Sequence, residues 1–121
     1  NVHEPPQGFV PNLSERGTTP IRAGMFSSNE PGYYKAGEYG IRIENLILAV
    51  QQGGDHKSED FLCFEDLTLY PISKTLIDIQ MLTESEKKWL NSYHERVFQA
   101  LSPQLSEEER DWLNPKCAPI L

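Results

Sequence analysis

Residues 39–51, YGIRIENLILAVQ, are the stretch on which the reading of the whole chain turns. Ile41, Ile43, Ile47 and Val50 are β-branched and Leu46 and Leu48 aliphatic, which predicts a strand. From Leu46 to Val50 every position is apolar, the pattern of a strand covered on both faces. The first half alternates instead: Ile41 and Ile43 point one way, while Arg42 and Glu44 share the opposite face with Leu46 and Leu48. Glu44 therefore lies on a face that turns apolar two residues later. A bare carboxylate there is costly to desolvate unless a cation compensates it. Arg42, on the same face, would make an ordinary structural ion pair; a metal ion would take the carboxylate oxygens as hard ligands. Spacing alone leaves both open.

Upstream, Ala23-Gly24 reads as a turn before a short strand, Met25 to Asn29, which stops at Glu30-Pro31-Gly32. Proline has no amide hydrogen to donate and glycine tolerates positive φ, so this tripeptide is read as a sharp turn at a strand end. Lys35 to Glu38 then links, hairpin-like, into residues 39–51. Glu30 sits against the rigid turn with its side chain held in one direction. If the two strands pair as neighbours, Glu30 and Glu44 converge. Residues 1–22 hold four prolines and two glycines without a sustained period, which predicts a short extended start and a long loop. In that start Val2 and His3 face opposite sides, so Val2 can bury while His3 faces a cavity; a structural or exposed histidine is the alternative.

Downstream, residues 51–60 read as a polar surface loop in which His56 beside Lys57 is solvated. Phe61 to Tyr70 is expected to be a second buried strand, closed by Pro71. Thr83 with Glu86, and Ser106 with Glu109, fit the capping-box spacing and announce two helices. The first should place Trp89, Leu90, Tyr93, Val97 and Leu101 along one packed face, carry His94 on its surface and end near Pro103. The second should be brief, burying Trp112 and Leu113 before Asn114-Pro115 stops it. The tail is expected to dock on the sheet or on another subunit.

Composition narrows the function classes. A chain of 121 residues with 18 acidic and 11 basic side chains is one domain or part of one. Its net charge of −7, without a basic run, argues against a nucleic-acid partner. A mean hydropathy of −0.52 and the lack of a long apolar run argue against a membrane span. Cys63 and Cys117 form no framework and no CxxC, as expected of reduced thiols in a cytosolic protein. The chain opens on NVHEPP, with no initiator methionine and no targeting pattern, and is expected to be a piece of something longer. No Ser-His-Asp or Cys-His arrangement, phosphate loop or zinc knuckle is discernible.

Taken in order, NVHE at Asn1 to Glu4, RAGM at Arg22 to Met25, NEPGYY at Asn29 to Tyr34 and GIRIEN at Gly40 to Asn45 resemble the C-terminal part of the pita-bread metallopeptidases, above all the Xaa-Pro aminopeptidases (aminopeptidase P). FLCFEDLTLYPI at Phe61 to Ile72, LID at Leu76 to Asp78, LTESEKKWLNSYH at Leu82 to His94 and the final WL…CAPI resemble the C-terminal extension of the longer, cytosolic-type enzymes. The resemblance implies an α+β fold: antiparallel strands from a pita-bread catalytic domain over residues 1–72, then a helical extension over 73–121. It also implies a cytoplasmic, homodimeric parent enzyme. Such an enzyme removes the N-terminal residue from peptides with proline in second position, using two divalent metal ions, usually manganese.

By motif, Glu30 resembles the glutamate that binds one metal and helps transfer a proton, and Glu44 the one that bridges both metals. His3 resembles the active-site histidine that touches substrate and stabilises the reacting amide without ligating metal. Arg42 and Tyr34 become supporting residues that orient the carboxylates. The family's remaining ligands, two aspartates and a histidine, fall before Asn1, so the isolated chain is expected to lack a complete metal cluster and to be inactive. Pro5 stands where the family commonly has glycine after NVHE. Two other readings share the scaffold: a non-catalytic peptide- or protein-binding module, and a prolidase-like dipeptidase.

Overall fold

The computed structural model describes residues 4–10, 13–52 and 61–121. The chain divides into two compact units, Asn1–Thr68 and Leu69–Leu121. The first contains a single helical turn, α1 (Glu15–Thr18), and strands β1 (Phe26–Asn29), β2 (Gly32–Lys35), β3 (Tyr39–Arg42), β4 (Asn45–Gln51) and β5 (Leu62–Asp66). Strands β1, β4 and β5 form an antiparallel sheet in the order β1-β4-β5, and β2 pairs with β3.

These two pairings are one interrupted ribbon. Asn29 lies opposite Asn45 in the first and Gly32 opposite Arg42 in the second, so the register carries straight across the break. Glu30-Pro31-Gly32 is therefore not the sharp turn expected of it: β2 continues the course of β1. Pro31 has no amide to contribute, and the ladder lapses for two residues on each side before it resumes. Likewise the single strand expected over residues 39–51 is split at Ile43–Glu44 into β3 and β4. The reversal of direction comes at Lys35–Glu38, where the Glu38 amide donates to the Lys35 carbonyl at 3.0 Å. Gly37, at φ 73°, supplies the positive dihedral that the third position of a type II turn requires. Lys35 and Glu38 close the turn with an ion pair of 2.8 Å.

Burial in this unit is one-sided. Asn45, Ile47 and Ala49 of β4 are buried, whereas Leu46 on the other face is 44% exposed. Strand β5 is more open than the buried strand expected, with Phe64 48% exposed. An apolar run records what a strand needs covered, and the described residues of this unit cover only one of the two faces.

The second unit holds α2 (Glu84–Leu101) and α3 (Glu107–Cys117), with short 3-10 turns at Ile79–Met81 and Ser102–Gln104. Both helices begin at complete capping boxes, Thr83 with Glu86 and Ser106 with Glu109. In each, the hydroxyl accepts from the backbone amide of the third helical residue, and that residue's carboxylate accepts from the cap amide. Hydrogen bonds from the Thr83 hydroxyl and amide hold the Glu86 carboxyl below the usual range, and those from the Ser106 amide and hydroxyl do the same for Glu109. Tyr93, Val97, Leu113 and Cys117 form the core, with Ile72, Phe98, Leu101 and Leu105 packed around it.

Several helix expectations need correction. Pro115 does not stop α3, which runs on to Cys117. A proline in the last turn removes one helix bond only, and the Lys74 ammonium donates to the carbonyls of Pro115 at 3.0 Å and Ala118 at 2.6 Å. A cation is thereby placed where the helix ends in unpaired carbonyls. Trp112 is half exposed rather than buried, with the Lys116 ammonium 4.6 Å above its ring. Trp89 is also half exposed, stacked on Tyr93 with ring centroids 5.5 Å apart.

His94 is fully buried rather than on the helix surface. Its Nε2 accepts from the Ile72 amide at 3.1 Å, and its Nδ1 has no hydrogen-bond partner. The tail docks within its own unit: the Asn91 amide donates to the Ile120 carbonyl at 3.0 Å and accepts from the Ile120 amide at 2.8 Å.

Candidate metal-ligand cluster

The lapse in the ribbon is where the acidic side chains meet. Continuing either ladder into the gap puts Glu30 directly opposite Glu44, so their side chains share one face of the ribbon. Ser28, Gly32, Tyr34, Gly40, Arg42 and Leu46 belong to that same face by alternation and register. Like charges placed opposite each other across two strands repel. Arg42 relieves the repulsion: its Nη1 donates to Glu30 Oε2 and lies 4.0 Å from Glu44 Oε2.

The guanidinium is itself held. Its Nε donates to the Tyr34 hydroxyl at 2.6 Å, and its central carbon stands 5.7 Å from the Tyr34 ring centroid. The Tyr34 hydrogen bond, opposed in part by desolvation and reinforced by the fields of Tyr34, Glu30 and Glu44, raises the Arg42 pKa above its ordinary value. Glu30 Oε1 accepts from the Ser28 hydroxyl at 3.3 Å. On the opposite, buried face, the Asn45 amide donates to Asp66 at 3.2 Å, tying the start of β4, one residue after Glu44, to β5.

Glu30, Glu44, Arg42 and Tyr34 are thus brought together. His3 lies outside the described residues. The close ion pair is Arg42 with Glu30, across the ribbon, and not with its same-strand neighbour Glu44. The enclosure foreseen for Glu44 is also incomplete, its side chain being 46% exposed against 27% for Glu30. Ser28 escaped sequence reasoning, although the two-residue period counted back from Glu30 points to it. The Asn45–Asp66 tie is a non-local pairing that no local signal announces.

Among the described residues no group of three or more His, Cys, Asp and Glu side chains could hold a metal ion. The donor set nevertheless fits a partial one. Two carboxylates share one guanidinium nitrogen, so the trio carries net negative charge, and carboxylate oxygens are the ligands that hard divalent cations take.

Known proteins resemble this chain along most of its length. The profile of "Metallopeptidase family M24" matches residues 1–51, and that of the "C-terminal region of peptidase_M24" matches residues 60–120. The chain belongs to metallopeptidase family M24. Probable Xaa-Pro aminopeptidase P of Coprinopsis cinerea is 45% identical over 99% of this chain and 20% of its own length. Its counterpart in Laccaria bicolor is 42% identical over 99% of this chain and 19% of its own. Among solved structures, the X-prolyl aminopeptidase of Caenorhabditis elegans, described as a cytosolic enzyme with a di-nuclear active site, is 38% identical. It superposes with a TM-score of 0.74 over 83% of this chain and 17% of its own. The chain thus spans about a fifth of the length of the curated relatives it matches. Its antiparallel strands followed by helices are the α+β fold of an M24 C-terminal piece, the end of the pita-bread architecture.

Proposed function

We propose that the protein containing this chain is a Xaa-Pro aminopeptidase, which releases the N-terminal residue from peptides with proline in second position. The observation that carries the proposal is the cross-strand meeting of Glu30 and Glu44 on one guanidinium, where the strand ladder lapses while its register continues. In this reading both carboxylates would hold divalent cations, manganese in the first instance, Glu44 serving as a ligand to both ions and Glu30 to one. Bound cations of this kind make hydroxide available near neutral pH and polarise a scissile carbonyl. The chain's own residues do the rest. Arg42 keeps the carboxylates from repelling each other, and Tyr34 keeps Arg42 in place. The leaving proline nitrogen must take up a proton, for which Glu30 supplies the carrier, while His3 contacts and stabilises the reacting amide.

The division of labour follows residues 1–72 for the catalytic domain and 73–121 for a helical extension. The chain spans about a fifth of its relatives' length, and in this reading the remaining ligands belong to the rest of the protein, so the chain by itself is expected neither to hold a complete cluster nor to cleave peptides. The parent enzyme is homodimeric and cytoplasmic; the name of the C. elegans relative supports the second of these, and no helix among the described residues is long and apolar enough to cross a membrane.

The test is a calorimetric Mn²⁺ titration of the full-length protein, paired with hydrolysis of Xaa-Pro peptides. Glu44→Gln is expected to abolish both metal uptake and cleavage; Glu44→Gln protein that still takes up metal and turns over would overturn the assignment. Comparing Xaa-Pro dipeptides with longer Xaa-Pro peptides distinguishes a prolidase-like dipeptidase. A second reading, a non-catalytic peptide-binding module, draws support from the Arg42–Glu30 ion pair, which offsets carboxylate charge without any metal. Absence of Mn²⁺ uptake by the wild-type protein would favour it.

A further inference from the structure

Two glycines on the carboxylate-bearing face have no backbone reason to be glycine. Gly32 and Gly40 lie in strands β2 and β3, and the positive φ values of the described residues belong to Gly24 and Gly37 alone. What both lack is space. A Cβ built on Gly40, directly across from Tyr34, would stand 2.6 Å from the ring's Cδ1 and 3.1 Å from Cε1. A Cβ on Gly32 would stand 2.5 Å from the Tyr34 hydroxyl oxygen and 2.8 Å from Cζ. The ring lies flat across the ribbon, its near edge over one glycine and its hydroxyl end over the other. That posture delivers the hydroxyl to Arg42 Nε at 2.6 Å, and Arg42 in turn reaches Glu30 and Glu44.

We propose that Gly32 and Gly40 are positioning residues: together they form a side-chain-free slot that lays Tyr34 down, so that its hydroxyl aims the Arg42 guanidinium between the two carboxylates. The inference rests on the aminopeptidase reading for its consequence, though not for its geometry. A methyl group at either glycine lifts the ring. The hydroxyl, at the far end of a rigid lever, moves furthest, and the guanidinium loses the partner that sets its plane.

The experiment is a double-mutant cycle in the full-length protein with Gly40→Ala, Tyr34→Ala and the pair, read by Mn²⁺ affinity, by kcat and KM for an Xaa-Pro peptide, and by thermal midpoint. Loss of a partner that orients a ligand costs about 10- to 100-fold in metal affinity or activity. Gly40→Ala should show a loss of that size in Mn²⁺ affinity and kcat with KM little moved, and Gly32→Ala should do the same. In the Tyr34→Ala background, where no ring remains to displace, Gly40→Ala should change each quantity by no more than about twofold, the range within which uncoupled effects add. Equal losses from Gly40→Ala with and without the Tyr34 ring would overturn the slot, as would a folded Gly40→Ala protein with unaltered metal affinity and kcat. If Gly40→Ala alone does not fold, recovery of folding in the Gly40→Ala/Tyr34→Ala pair supports the slot and continued misfolding overturns it. Should the wild-type protein bind no Mn²⁺ and cleave nothing, the aminopeptidase reading falls, while the thermal cycle still decides whether Gly40 and Tyr34 are coupled.

Discussion

Removing the Asn91 side-chain amide should release the end of the chain. The perturbation is Asn91→Ala, and its size follows from two hydrogen bonds, 2.8 and 3.0 Å long, both made to the backbone of Ile120. A net hydrogen bond in a protein contributes about 1 kcal/mol, so the pair accounts for about 2 kcal/mol. Ile120 is itself buried, at 8% exposure, and the clasp is what seats it. If the residue comes away, the lost apolar burial adds up to about 2 kcal/mol more. The expected cost is therefore about 2–4 kcal/mol. Both tryptophans of the chain, Trp89 and Trp112, lie in α2 and α3. Urea unfolding of the 121-residue chain followed by tryptophan fluorescence therefore reports the C-terminal unit directly. Asn91→Asp provides an internal check. Its carboxylate can still accept from the Ile120 amide, but an ionised oxygen then faces the Ile120 carbonyl, so acidification should recover part of the loss. A change below about 0.5 kcal/mol in Asn91→Ala, the range of ordinary surface substitutions, would refute the reasoning.

Three further outcomes are expected of the same unit. Burial, with the nearby Lys74 charge, holds the His94 pKa below its ordinary value of 6.5, so the unfolded state binds more protons; stability should be complete above that value and decline as pH falls below it. A flat urea midpoint between neutral and mildly acidic pH would contradict this, and His94→Gln, whose oxygen can still accept from the Ile72 amide, should lessen the decline. Leu113 is 1% exposed in the core, and Leu113→Ala should cost about 2–5 kcal/mol by the same denaturation assay. Thr83→Ala and Ser106→Ala each remove a capping hydroxyl and should each cost about 1 kcal/mol; because they start different helices, the double variant should show close to the combined loss.

What could be read from the chain was what depends on neighbours a few residues apart. The capping boxes at Thr83 and Ser106 span three residues, and both are present as expected. The turn at Lys35–Glu38 and the start of β1 are equally local. The burial of His94 is written in its spacing, not in its residue type: it falls on the same stripe as Leu90, Val97 and Leu101, and a polar residue in such a stripe needs a hidden partner, here the Ile72 amide. Pro115 reads locally as a stop, but the Lys74 ammonium that satisfies the end of α3 comes from a residue far away in sequence. At the carboxylate cluster, alternation correctly put Arg42 and Glu44 on one face. The choice of Glu30 as the close partner of Arg42 comes from strand pairing, which sets Glu30 diagonally across the ribbon from Arg42, within reach of its long side chain. Pairing across a break is set by register, and register is not visible until both strands are in place.

The unbroken register across Pro31 bears on how this stretch tolerates changes in length. Adding or removing one residue between Asn29 and Gly32, or between Arg42 and Asn45, would turn one carboxylate toward the opposite side while leaving the other where it is. The tip at Ala36 to Glu38 lies beyond both ladders, where extra residues lengthen only the loop. Length polymorphism in this ribbon should therefore gather at its tip, and the two segments flanking the acidic pair should behave as a fixed-length frame.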